Sequence, residues 1–154
     1  VSLMLVLGGL GLIVVIGLAV YAGRLLAQLK IQQNVIKAAV TKRNNKIVAD
    51  IQYIALAMLE GRCEISEGVI RQYHLLNALQ SSKPLLWSSH FPSTYALYEI
   101  VGDLARLEQR KQLKANQRFE EDKQRLEAEE QYQESVLLEA NSLKELELSQ
   151  YIVK

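Results

Sequence analysis

"LMLVLGGLGLIVVIGLAVYAG", residues Leu3 to Gly23, contains no charged side chain. At the rise of an α-helix the run reaches roughly 32 Å, the hydrocarbon thickness of a bilayer. Gly8, Gly9, Gly11 and Gly17 would weaken a helix in water, whereas membrane helices carry glycine freely. Tyr21 stands at the end of the run, where interfacial aromatic side chains sit. The competing reading is a secretory signal cleaved near Val20-Tyr21-Ala22. No basic residue leads into the run, and it is longer than a usual signal core, so a retained transmembrane helix over 1–23 is expected. Ala19, Gly23 and Ala27 place a small residue at every fourth position, a spacing that permits close helix–helix approach in lipid.

Working outward, the flank is basic. Arg24, Lys30, Lys37, Lys42, Arg43 and Lys46 all precede the first acid, Asp50. Positive flanks stay on the cytoplasmic side, which predicts an outside N-terminus and a cytoplasmic remainder. The same six residues suit anionic lipid headgroups, at about 1 kcal/mol each near the surface. Charge then reverses along the chain. Residues 1–98 hold nine Lys/Arg and four Asp/Glu, and residues 99–154 hold nine and thirteen, so a near-neutral total hides +5 and −4. The single cysteine, Cys63, excludes an intrachain disulfide and a cysteine-rich metal cluster.

Residues 24–46 read as a basic juxtamembrane helix and 47–107 as a small helical domain. Ile36, Val40, Ile47, Ile51, Ile54 and Met58 step mostly by three or four along one helix face. The weak apolar match in "TKRNN" and the cap-forming pair Asn44-Asn45 predict a break or bend, with one unbroken helix to Glu60 as the alternative. Gly61 suits a left-handed helix end. Ser66 reads as the next N-cap, with Ile65 and Ile70 as a hydrophobic staple, predicting a helix over 66–80. Pro84 stops that helix, and Pro92 starts another with Ser93 or Thr94 as its cap. Between them Leu85, Leu86, Trp87 and Phe91 are too apolar for water. A corner packed into the core is expected first, and a partner or lipid contact second, with Trp87, Phe91, Tyr95 and Tyr98 as the contact residues.

Residues 108–154 read as a long charged helix. Glu121–Arg125, Glu120–Lys123 and Asp122–Arg125 are spaced as ion pairs of about 0.2–0.5 kcal/mol each. Val136, Leu137, Leu138, Ala140, Leu143 and Leu146 restore an apolar face near the end, which needs either the chain's own middle or another subunit.

Chemistry is sparse. His74, His90 and Cys63 lack metal-ligand spacing, and no phosphate loop or nucleophile elbow follows a strand. Ser88, Ser89 and His90 are neighbours in sequence, which is not the geometry of a nucleophile and its base. No catalytic, cofactor or metal residue is therefore predicted. With the basic residues beside the span and the far half acidic, nucleic-acid binding is not expected.

Four features together resemble a gammaproteobacterial family of single-span proteins, the domain of unknown function 2489. They are the N-terminal span, "LEGRCEISEGVIR" at 59–71, "FPSTYALYEI" at 91–100 and "DKQRLEAEEQYQESVLLEA" at 122–140. The resemblance implies a bacterial inner-membrane setting and transfers no site residues. The expected protein is thus all-α: one transmembrane helix, a helical cytoplasmic domain and a long charged C-terminal helix. Its expected partners are the bilayer and another protein, with a homo-oligomer possible. The expected role is an accessory or scaffold subunit, the alternatives being a stalk-like spacer or a lipid- or small-molecule-binding module.

Overall fold

A computed structural model of the chain describes residues 1–105 and 107–152. Arg106, next to the boundary expected at 107, and Val153 and Lys154, at the end of the expected charged helix, lie outside the described residues. Every regular element among the described residues is a helix: α1 (Ser2–Leu59), α2 (Ile65–Ala78), α3 (Trp87–His90), α4 (Pro92–Val101), α5 (Leu107–Gln112), α6 (Ala115–Leu143) and α7 (Leu148–Tyr151). The chain divides into two units, Val1–Lys42 and Arg43–Lys154.

Apart from Val1, the first unit belongs to α1. Its apolar side chains from Leu3 to Tyr21 are exposed, and no part of its most apolar window is buried by protein. The helix is long and apolar enough to cross a membrane, with a mean hydropathy of 2.8 over that window. A core helix of a soluble domain would bury one face, and this segment buries none.

The second unit is a helical bundle. α4 packs against both α2 and α6, and α2 also touches α6. The last turns of α1 contribute Ile47, Ile51, Ala55 and Met58 to the interior. One apolar cluster gathers Ile51, Leu76, Trp87, Phe91 and Leu143; a second gathers Met58, Val69, Leu97, Val101 and Val136. The bundle closes tightly where α1 meets α2, since a Cβ on Gly68 would overlap the Met58 side chain. The late apolar residues Val136, Ala140, Leu143 and Leu146 are buried in these clusters, so the chain's own middle covers them; Leu138 stays exposed.

The break expected at Asn44-Asn45 does not occur, for α1 is helical without interruption from Ser2 to Leu59. Asn44 is buried, and its amide faces the end of α2 instead of capping its own helix. Asn44 Nδ2 donates to the Gln80 carbonyl at 2.6 Å, and the Gln80 N–H donates to Asn44 Oδ1 at 3.1 Å. Two bonds to a distant backbone outcompete a local cap. α1 ends where glycine allows it. Gly61 has φ +69°, with Gly61 N–H donating to the Met58 carbonyl and Arg62 N–H to the Ala57 carbonyl, the paired bonds of a Schellman end.

The expected single helix over 108–154 is also broken. Leu113 N–H closes a tight turn on the Arg110 carbonyl, and Lys114 is extended with ψ 155°. Lys114 N–H donates to Gln117 Oε1 at 3.1 Å and restarts the helix. The turn lets Arg110 of α5 form a bidentate pair with Asp122 of α6. A second break at 144–147 separates α6 from α7.

Candidate functional site

The most organised polar chemistry in the bundle belongs to α6, whose carboxylates reach across to backbone N–H groups at or near the starts of other helices. α2 begins at Ile65 behind Glu64, and α4 begins at Pro92 behind Phe91; neither has a side-chain cap of its own. Helices leave their first N–H groups unpaired, and the local dipole favours an anion there. Glu139 supplies that anion for α4. Its Oε1 accepts from Ser93 N–H at 2.7 Å, and its Oε2 accepts from Thr94 N–H at 2.8 Å and Thr94 Oγ1 at 2.7 Å. Glu129 does the same for α2, accepting from Ser66 N–H at 3.1 Å and from the Ser66 hydroxyl. Glu121 accepts from Ala105 N–H at 3.0 Å.

Ser66, Ser93 and Thr94, read as caps from local sequence, are therefore donors to carboxylates from afar. The expected Glu121–Arg125 pair is absent for the same reason: Glu121 faces inward, and Arg125 approaches Asp122 at 3.8 Å instead. Lys123 approaches Glu127 at 3.8 Å instead of Glu120. Beside the Arg110 guanidinium, the Asp122 carboxyl is held below the usual carboxylate range. One sequence signal for the capping existed. Residues 121, 129, 136, 140 and 143 share one helical face, so two of these carboxylates lie in line with the buried apolar residues.

The four aromatic contact residues divide into two groups. Trp87 and Phe91 are buried, 4% and 2% exposed, and stack 6.0 Å apart with Tyr151 of α7 against both. Leu85 packs on the same cluster, and Leu86 remains exposed. Tyr95 and Tyr98 are only half-buried and belong with Tyr73: Tyr98 stacks on it at 3.5 Å, and Tyr95 meets it edge-on at 4.9 Å while donating to Asn77 Oδ1. Burial pushes the Tyr95 hydroxyl up. Tyr95 also packs on the cluster of Trp87 and Phe91, so it joins the two groups. The corner is packed, as the apolar content of residues 85–91 predicts, and α7 completes it.

His90 lays its ring against Tyr151 at 4.9 Å and Trp87 at 6.5 Å. Burial pushes the Cys63 thiol up, away from the thiolate that a nucleophile requires. No group of three or more metal-ligating side chains occurs among the described residues. An open groove between α1 and α2 is lined by Asp50, Tyr53, Ile54, Ile70, Arg71 and His74. Its guanidinium, Arg71, is tied to Glu67 at 2.7 Å. Gln72 is fully buried, and neither polar atom of its side chain has a hydrogen-bond partner.

On α1, Arg24, Lys30, Lys37, Lys42, Arg43 and Lys46 are all exposed, as are Ala19, Gly23 and Ala27. The neck therefore presents six exposed cations with no acid among them.

Comparison with known proteins adds a family. The model of the family described as "Protein of unknown function (DUF2489)" matches residues 15–143. A protein of Haemophilus influenzae, described as uncharacterized, is 36% identical over 127 residues, covering 82% of this chain and 84% of its own. No solved structure matches the chain.

Proposed function

The chain belongs to the DUF2489 family, and from that premise we propose that it is a membrane-anchored helical accessory or scaffold protein acting through protein–protein contacts. The observation that carries the reading is the exposed, uncharged first part of α1, joined in one chain to a bundle in which carboxylates of α6 bond to the starts of α2 and α4. The apolar run is retained in the bilayer of the bacterial inner membrane. Its basic flank sets the topology, with the N-terminus periplasmic and the bundle cytoplasmic. The six flanking cations also suit anionic headgroups, and Ala19, Gly23 and Ala27 offer a close-packing face where the span leaves the bilayer.

The deciding experiment is mild cross-linking in native membranes, followed by co-purification of the full chain. A specific second band is expected. A chain that always runs alone and as a monomer sinks the reading. The continuity of α1 from Ser2 to Leu59 favours a second reading, a stalk-like spacer. Small-angle scattering of the full chain in lipid nanodiscs separates them, since a spacer requires a rod-like envelope beyond the disc.

A further inference from the structure

α6 has two faces. Ala128, Val136, Ala140 and Leu143 are buried on one side, with the capping carboxylates among them. Helical spacing turns Phe119, Leu126 and Leu138 to the other side, where they are 70%, 65% and 67% exposed. Glu120, Glu127, Glu130 and Glu134 share that outer side and are exposed, with Lys123 as the one base between them. Phe119 and Leu126 frame a shallow recess rimmed by Lys123, Glu127 and Glu130. The apolar patch of Phe119 and Leu126, edged by acids, fits a basic amphipathic helix. It does not fit a second copy of itself, because four carboxylates would meet four.

The chain carries such a helix. Residues 24–42 of α1 hold Arg24, Lys30, Lys37 and Lys42 and no acid. Leu25, Leu29 and Ile36 share one side of that segment and are exposed. Two of these necks side by side would also repel. Neck against α6 is the one pairing of these faces that brings opposite charges together over an apolar seam. The lengths agree as well: residues 24–42 and 120–138 each make a helix of about 28 Å.

We propose that the outer face of α6 in one copy receives the α1 neck of a second copy, and reciprocally, giving a homodimer. The inference rests on the protein-contact reading above but on no particular partner. It needs both segments on one side of the bilayer, which any single-span insertion provides.

The test uses the full chain in phosphatidylcholine nanodiscs or mild detergent, with oligomeric state followed by light scattering. A dimer that weakens as salt rises is expected. Reversing α6 (Glu127→Lys, Glu130→Lys, Glu134→Lys) or the neck (Lys30→Glu, Lys37→Glu, Lys42→Glu) should weaken it by about tenfold or more. An equimolar mixture of the two reversed proteins should recover the dimer, since each then complements the other. Trp87 emission keeps unfolded variants out of the comparison. The pairing is overturned by a monomeric wild-type chain, a dimer indifferent to both reversals, or no recovery in the mixture. A neck reversal that abolishes phosphatidylserine-dependent binding and leaves the dimer intact assigns the neck to lipid and overturns it too. A monomer that still cross-links to another membrane protein removes this pairing and leaves the accessory role standing; loss of both removes both.

Discussion

Glu139→Ala tests whether α6 holds the bundle together through its carboxylates. The substitution removes three acceptor contacts, to Ser93 N–H, Thr94 N–H and Thr94 Oγ1. Thr94 is fully buried, so its donors find no water in exchange. Hydrogen bonds to a charged group contribute about 1.5–3 kcal/mol net, and loss of an N-cap costs about 0.5–2 kcal/mol. The three contacts act as one unit and Glu139 is itself partly exposed, so their sum overstates the effect. A loss of about 3 kcal/mol is expected for Ala, and about half of that for Glu139→Gln, which keeps one acceptor oxygen. The assay is urea unfolding of the full chain in nanodiscs, read by emission of the single tryptophan, Trp87, which is 4% exposed. At about 2 kcal/mol per molar urea, the midpoint should fall by about 1.5 M. Glu145→Ala, at an exposed position beyond the end of α6, should stay within about 0.5 kcal/mol of wild type. If Glu139→Ala behaves like that control, carboxylate capping from α6 contributes nothing, and the account of the bundle given above is refuted.

Gln72→Met should raise stability by about 1–3 kcal/mol, because a fully buried amide with no partner is exchanged for an apolar chain of similar length; a lower urea midpoint in the variant would contradict this. Trp87→Ala should cost about 3–5 kcal/mol, since it empties the corner against Phe91 and Tyr151. Unfolding followed by circular dichroism checks that value, and a folded Trp87→Ala protein that has lost its partner would move the corner from core to contact surface.

Much of the helical frame is readable one residue at a time. The end of α1 follows from Gly61, because no other residue adopts a positive φ so readily. The start of α4 follows from Pro92, whose missing N–H costs nothing at the first helical position. The burial of Trp87 and Phe91 follows from their area, and the apolar run at Leu3–Gly23 follows from composition alone. In each case the deciding energy lies within a few covalent bonds of the residue or within its own side chain.

Asn44, Ser66 and Glu121 are different. Each has a reasonable local role, as helix cap or ion-pair member, and each is used otherwise. Asn44 has helix-ending chemistry, yet its two bonds to Gln80 lie 36 residues away. The turn before α6 has no Pro or Gly to announce it, and it brings Arg110 back onto Asp122. Polar side chains have several partners of nearly equal strength, so packing distance chooses among them.

A helical chain with one apolar span, a basic neck, a glycine stop and a proline start is written into the residues themselves, since sterics and hydrophobic burial act locally and along the period of the helix. Closure of the bundle is what carries α1 through Asn44, sets Glu129 and Glu139 on the starts of α2 and α4, and leaves α6 a second, exposed face. Those choices depend on which helix ends come within about 3 Å of which carboxylates, a distance that exists only once the bundle has closed.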